Sequence, residues 1–254
     1  MPRVVQTVAE WQKLRAVHRA AGRTVGFVPT MGALHAGHAS LFQAARRDCA
    51  VVLVSVFVNP TQFDEKSDFD LYPRVLDQDC GLMDAAGVDV VFAPSVAEMY
   101  PNGTRYVVTE SQFSRELCGA HRPGHFDGVL TVVLKLLRIA DAERAYFGEK
   151  DFQQLQLIRG LCTAFFLPTE IVPCPTVREA DGLAMSSRNA RLSPAERALA
   201  PTFHRVLASA STAPVAHAEL AAAGFAVDYV EDRENRRYGA VRIGPTRLID
   251  NVPL

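Results

Sequence analysis

Two short apolar runs, separated by one helix-length pattern, constrain this chain more than any other feature. Val25 to Val28 is a compact apolar run, broken by Pro29 and Gly32, which mark a tight loop. A helical pattern follows to about Arg47, with Leu41 and Phe42 on its apolar side. Val51 to Val58 is then a continuous, valine-rich run. Such a run reads as a parallel strand buried on both faces. Strand, helix, strand is a βαβ unit, and its crossover is right-handed.

The junction inside this unit carries chemistry. His35, Gly37 and His38 stand where the first strand hands over to the helix. Free backbone N–H groups and the helix dipole attract anions at such a position. Gly32 and Gly37 let a ligand approach the backbone, and imidazoles donate hydrogen bonds to phosphate oxygens. A zinc site would need three or four ligands, and no Cys or Asp lies at ligand spacing nearby. Two incidental surface histidines are the plainer alternative.

Further along, Asn59-Pro60-Thr61-Gln62-Phe63 follows the second run. In open α/β sheets ligands sit beyond the carboxyl ends of strands, so Asn59 and Gln62 are placed to offer amides to a small polar substrate. An ordinary Asx-Pro turn explains the same residues. Asp64 to Asp70 is acidic and expected to be mobile. A helix follows Tyr72-Pro73-Arg74 to about Ala86 and ends at Gly87. Val88 to Phe92 and Tyr106 to Thr109 read as strands, and Ser95 to Asn102 as a short helix and turn.

The glycine-rich loop from Cys118 to Gly128 holds His121, Arg122 and His125 before an apolar helix, Val129 to Ile139. Arg122 can face an anion there, and His125 reads as structural. Ala145 to Phe147 is another strand, followed by Gly148-Glu149-Lys150-Asp151 and a helix over 152–165. Lys150 suits phosphate as a point charge; a helix cap at Asp151 with a solvated lysine is the plainer reading. Of Gln153 and Gln154, one can face the cleft.

Glu170 to Val172 is a strand, and the polar loop Met185-Ser186-Ser187-Arg188-Asn189 offers two hydroxyls and a guanidinium fork to phosphate. The pattern then predicts a helix over 194–208, a linker over 209–217, and strands at 225–229, 239–243 and 247–249.

The chain has 254 residues, 48% of them hydrophobic, and a net charge of −1. That supports one large or two smaller cores. It gives no polybasic surface for nucleic acid, and no apolar run long enough to span a membrane. No apolar signal-peptide core is visible near the N-terminus. Cys49, Cys80, Cys118, Cys162 and Cys174 are odd in number and widely spaced, which predicts free thiols in a reducing cytoplasm.

His-x-Gly-His after a strand resembles the adenylyl-transferring superfamily that includes class I aminoacyl-tRNA synthetases. The longer strings are more particular. Pro29 to His38, Ser55 to Phe63, Tyr72-Pro73-Arg74, Arg122 to Phe126, Phe147 to Leu155, Met185 to Asn189 and Arg247 to Asn251, in that order, resemble the pantothenate synthetase (pantoate–β-alanine ligase) family.

The resemblance implies an α/β fold. A Rossmann-like parallel sheet of the His-x-Gly-His nucleotidylyltransferase type would span 1–175, with a smaller C-terminal lid over 176–254. It implies ATP-dependent joining of pantoate to β-alanine through a pantoyl adenylate, releasing AMP and pyrophosphate, in a cytoplasmic homodimer with no nucleic-acid or membrane partner. A related nucleotidylyltransferase is the alternative, and a non-catalytic ATP-binding module a more distant one.

By the same resemblance His38, His35, Lys150 and Arg188 are the catalytic residues. Met31, Gly32, Ala33, Leu34, Ala36 and Gly37 would line ATP with the histidines. Gly148, Asp151 and Val177 would contact adenosine, and Glu149 and Met185 would bind ATP beside them. Lys150, Ser186, Ser187 and Arg188 would hold the outer phosphates, and Mg²⁺ would be bound through phosphates, with no protein metal site. Met31, Gln62 and Gln154 would bind pantoate, with Phe63 as an apolar wall. Gln62, Asn59 and Arg122 would bind β-alanine. Only about sixty residues follow Pro194, which predicts a lid shortened around 209–228.

Overall fold

The central βαβ unit divides the main core into two layers. In the computed structural model, which describes residues 1–63 and 69–254, strands β2 (Val25–Thr30) and β3 (Val51–Val56) pair in parallel from Val25↔Val51 to Thr30↔Val56. Successive strand side chains point to opposite faces. Val25, Phe27, Val51 and Leu53 therefore join one cluster with Trp11, Leu130 and Ile158. Val28, Val52 and Val54 join another with Phe42, Met83 and Tyr146. Helices α1 (Val8–Ala20), α4 (His125–Ala140) and α5 (Phe152–Ala164) supply the first layer. Helices α2 (Ala36–Asp48) and α3 (Leu76–Ala85) supply the second. At Gly26 a Cβ would stand 3.1 Å from Cys49 Sγ and 3.2 Å from Ala45 Cβ, so glycine lets the α2 side of the core close onto β2.

Among the described residues the sheet has the order β1-β4-β3-β2-β5-β6, all parallel, with β1 at Arg3–Val5, β4 at Val90–Phe92, β5 at Arg144–Gly148 and β6 at Glu170–Cys174. The chain builds outward from β2 through β3 and β4, then crosses to the other side of β2 as β5. The loops leaving β2 and β5 thus open into one crevice at the switch point, where open α/β sheets bind ligands.

Residues after β6 form a second, smaller layer. Strands β7 (Ala226–Arg233), β8 (Arg236–Ile243) and β9 (Thr246–Pro253) make an antiparallel sheet. Leu183, Phe203, Leu207, Leu220, Val241 and Leu248 share its core. The charged stretch over 231–237 is the β7–β8 hairpin, whose turn residues Glu234 and Asn235 have φ of 47° and 60°, as a two-residue primed turn requires.

Several expectations are corrected. The three residues of β1 form an unexpected edge strand. The segment 105–110 is irregular, with Val108 N–H donating to Thr131 Oγ1 rather than to a sheet. Helix α4 starts at His125, four residues before its apolar run. The helix expected over 194–208 is two, α6 (Pro194–Leu199) and α7 (Pro201–Ser209), because Pro201 lacks an N–H and its ring crowds the preceding turn. The expected linker holds α8 (Ala213–Ala222), capped by Thr212 and packed through Ala213, Ala216 and Leu220. Of the acidic stretch expected to be mobile, 64–68 lies outside the described residues.

Candidate active site

The crevice at the switch point is a cavity of about 270 Å³. Its walls bring together Met31, His35, Gly37, His38 and Gln62 from the β2 and β3 ends. Gly148, Lys150, Asp151 and Gln154 come from the β5 end, and Val177, Met185, Ser186, Ser187 and Arg188 from the loop after β6.

The two histidines are wired into the start of α2. His35 is its N-cap, and its Nδ1 accepts the Gly37 N–H at 3.1 Å. His38 Nδ1 accepts the His35 N–H at 3.3 Å. This reciprocal capping box uses imidazoles where Ser and Glu usually serve. A ring nitrogen that accepts a backbone N–H carries no proton, so each neutral ring keeps its proton on Nε2. The rings lie 4.2 Å apart. Burial pushes His38 down to about 3; the neighbouring His35 ring and the Lys150 ammonium act the same way, against the Asp151 carboxylate. Burial and then Lys150 also lower His35. In the free protein both are neutral N–H donors near pH 7.

The loop before them is held from behind. Asp79 on α3 accepts the Ala33 N–H at 3.0 Å on one carboxylate oxygen and the Leu34 N–H at 2.8 Å on the other. Burial raises the Asp79 pKa, and these two bonds offset the rise only in part. Ala33 has φ of 52° and Gly32 of 82°, so the loop bends sharply there, with Gly32, Ala33, Leu34 and Ala36 shaping it from outside the cavity lining.

Gln62 stands at the end of a short relay. Tyr100 OH donates to Asn59 Oδ1 at 2.7 Å. Asn59 Nδ2 donates to Gln62 Oε1 at 3.0 Å and to Gly128 O at 3.2 Å. Gln62 Nε2 in turn reaches Met31 Sδ at 3.1 Å. The structure does not bring Asn59 to the cavity: it is buried, and its amide is spent on orienting Gln62 and the turn after β3. Arg122 lies beside Gln62, donating to its carbonyl at 3.3 Å, and lines a neighbouring cavity of about 390 Å³. His125 Nδ1 bonds the same carbonyl at 2.8 Å. Phe63 packs edge-on against Phe69 and Tyr72 rather than lining the cavity.

At the opposite wall, residues 149–151 form a 3-10 turn. Asp151 makes no side-chain cap; its carboxylate lies 3.8 Å from Lys150 Nζ. Glu149 lies outside the cavity lining. A Cβ at Gly148 would meet nothing within 4 Å, which leaves that part of the wall open. Gln153 is buried and bonds Cys118 N, Phe113 O and Glu116 O, so Gln154 is the glutamine that faces the cleft. Tyr72 lines the cavity and hydrogen-bonds Ser187.

Sequence reasoning missed Asp79 and Tyr72. Asp79 carries no local signal, whereas Tyr72 stands in the Tyr72-Pro73-Arg74 string, which by itself gives it no role. Among the described residues no group of three or more His, Cys, Asp or Glu is placed to hold a metal.

The sequence profile described as pantoate-beta-alanine ligase matches residues 3–253. The chain is 52% identical to the pantothenate synthetase of Bdellovibrio bacteriovorus over 254 residues, covering 100% of each. The structure of pantoate-beta-alanine ligase from Francisella tularensis, complexed with Beta-gamma ATP and Beta-alanine, superposes with a TM-score of 0.94 at 39% identity, over 100% of this chain and 98% of that one. Pantothenate synthetase from Thermus thermophilus gives a TM-score of 0.90 at 43% identity, over 99% of both chains. A profile match across nearly every residue, and full-length relatives far above 30% identity, place the chain: it belongs to the pantoate-beta-alanine ligase family.

Proposed function

We propose that this chain joins pantoate to β-alanine at the expense of ATP, through a pantoyl adenylate, releasing AMP and pyrophosphate. The observation that carries this reading is the convergence on one cavity of two strand-to-helix junctions. One offers neutral imidazole donors, the other a lysine facing a serine–arginine loop. The Francisella relative, crystallised with an ATP compound and β-alanine, supports it.

In the first step a pantoate carboxylate oxygen attacks the α-phosphorus. A new P–O bond forms, and the bond to pyrophosphate breaks. Negative charge grows on the phosphates, and donors fixed in place stabilise it most. His38 and His35 donate from Nε2. Lys150, Ser186, Ser187 and Arg188 hold the outer phosphates from the other wall. Gly148, Asp151 and Val177 contact adenosine, with Met185 beside them. Gln62, Gln154 and Met31 hold pantoate.

In the second step the β-alanine amine attacks the acyl carbon, the amide bond forms, AMP leaves and the amine releases a proton. No protein nucleophile is required, and positioning supplies most of the rate. Arg122 and Gln62 hold β-alanine, with Asn59 bracing Gln62 rather than touching the ligand. Apart from the single Asp151 carboxylate, the polar side chains facing the cavity are cations or amide, imidazole and hydroxyl groups. They suit the phosphates rather than a metal cage, so Mg²⁺ arrives bound to the nucleotide. The C-terminal residues 176–254 act as a lid over ATP, and the enzyme works as a cytoplasmic homodimer.

The test is AMP release from ATP with Mg²⁺ and pantoate, with and without β-alanine, in the parent and in His38→Ala. Sustained AMP formation that needs both substrates and is nearly lost in the variant supports the reading. ATP left intact under every condition overturns it.

A further inference from the structure

The charged and serine side chains facing the cavity from the Lys150 wall sit on two separate segments, the 149–151 turn and the 177–189 loop. Both are held from one place on β9. Asn251 is buried; its Nδ2 donates to Glu149 O at 2.9 Å and to Lys150 O at 3.0 Å, and its Oδ1 accepts from Arg236. Every polar atom of that amide is engaged, so its orientation is set.

The neighbouring Asp250 is buried and takes Arg178 in a two-pronged pair at 2.6 and 3.0 Å. It also accepts from His204 Nδ1 at 3.1 Å and from the Asn251 N–H at 2.8 Å. Arg178 is the base of the 177–189 loop. Its guanidinium donates to Gly182 O at 3.2 Å, and its backbone bridges to Ala184. Met185 N–H closes onto Val177 O at 3.0 Å. Ser186, Ser187 and Arg188 follow directly. Neither Asp250 nor Asn251 lines the 270 Å³ cavity; both line the adjoining one of about 390 Å³, with their side-chain polar atoms engaged as described.

We propose that Asp250 and Asn251 are a positioning pair that sets the Lys150 turn and the Ser186–Arg188 loop in register with each other. The C-terminal sheet thereby fixes the spacing of the two segments that face one ligand. This rests on reading the cavity as the nucleotide site. Both residues act through others, Asn251 through the backbone of Lys150 and Asp250 through Arg178.

The experiment is a double-mutant cycle. Asn251→Ala lowers kcat/KM for ATP about 10- to 100-fold, the range expected when a reacting group shifts by about 1 Å. In a Lys150→Ala background the same substitution costs less than about twofold, because the group it positions is gone. An equal loss in both backgrounds, or a loss under about twofold in the parent, overturns the proposal. If Asn251→Ala gives no cooperative unfolding transition, Arg178→Lys is read in the same way against a Ser186→Ala/Arg188→Ala background. If the parent itself forms no AMP, the functional reading fails by itself. The positioning is then decided by calorimetric titration with ATP, where the same pattern of affinity loss is expected and its absence refutes it.

Discussion

His38 Nδ1 accepts the backbone N–H of His35 at 3.3 Å, and that one bond fixes the protonated edge of the His38 ring as Nε2. The ring is an oriented, neutral donor before any ligand arrives, because burial holds it near 3.

That depressed pKa makes a prediction about stability and pH. In the unfolded chain a histidine titrates near 6.5, whereas folded His38 does so at about 3. Between those values the unfolded chain binds more protons, so stability present above pH 6.5 falls as the pH drops toward 3. The loss reaches a few kcal/mol on the order of the linkage relation. Urea midpoints at pH 7, 5 and 4 should fall less steeply for His38→Gln than for the parent. Parallel slopes would show that His38 is not held neutral.

Gly37→Ala should separate folding from function. A Cβ there would stand 2.8 Å from His35 Cε1 and 2.9 Å from its Nδ1, so the ring must swing away. Alanine is otherwise the better helix residue, by roughly 0.5–1 kcal/mol. Losing the His35 cap costs about as much, so the expected outcome is a little-changed Tm with turnover lowered about tenfold or more. Full activity with a lower Tm would contradict this geometry.

Asp79→Asn replaces one of two accepting oxygens with a donor facing a backbone N–H. The bonds to Ala33 and Leu34 cannot both survive. We expect a loss of about 1–3 kcal/mol in stability together with a raised KM for ATP. Denaturant melts and initial rates over an ATP series check both. An unchanged KM would mean that the His35 loop keeps its shape without Asp79.

Asn59→Ala should act on pantoate through Gln62. Removing the buried amide leaves Gln62 Oε1 and Tyr100 OH short of a partner, which costs about 1–3 kcal/mol. The KM for pantoate should rise several-fold while that for ATP stays within about twofold. Tyr100→Phe should give a smaller shift in the same direction. Equal effects on both substrates would indicate a general loosening of the fold.

The parallel sheet and the placement of His35 and His38 were legible because their signals are local. Hydrophobic period switches from strand to helix and back over about thirty residues, and glycines punctuate the handover. What escaped depends on distance along the chain. Asp79 meets Ala33 and Leu34 from another helix, and a lone aspartate on a helix looks solvated until its neighbours are known. Asn59 sits in an Asx-Pro sequence that fits a turn equally well, so only its burial reveals that it braces Gln62. Helix α8 escaped because its buried face is built from Ala213, Ala216 and Leu220, too small a stripe to stand out from an Ala-, Ser- and Thr-rich stretch.

All five thiols are buried and unpaired, and Cys118 is the one at the seam with the C-terminal sheet, 3.2 Å from Tyr229 OH and 3.5 Å from an Arg247 nitrogen. Its shielding depends on two strands of that sheet staying in place. The rate at which a thiol dye labels Cys118 therefore clocks the parting of the seam. Slower labelling when ATP is added would show, in native protein without an attached fluorophore, that the nucleotide steadies this seam; an unchanged rate would show that it does not.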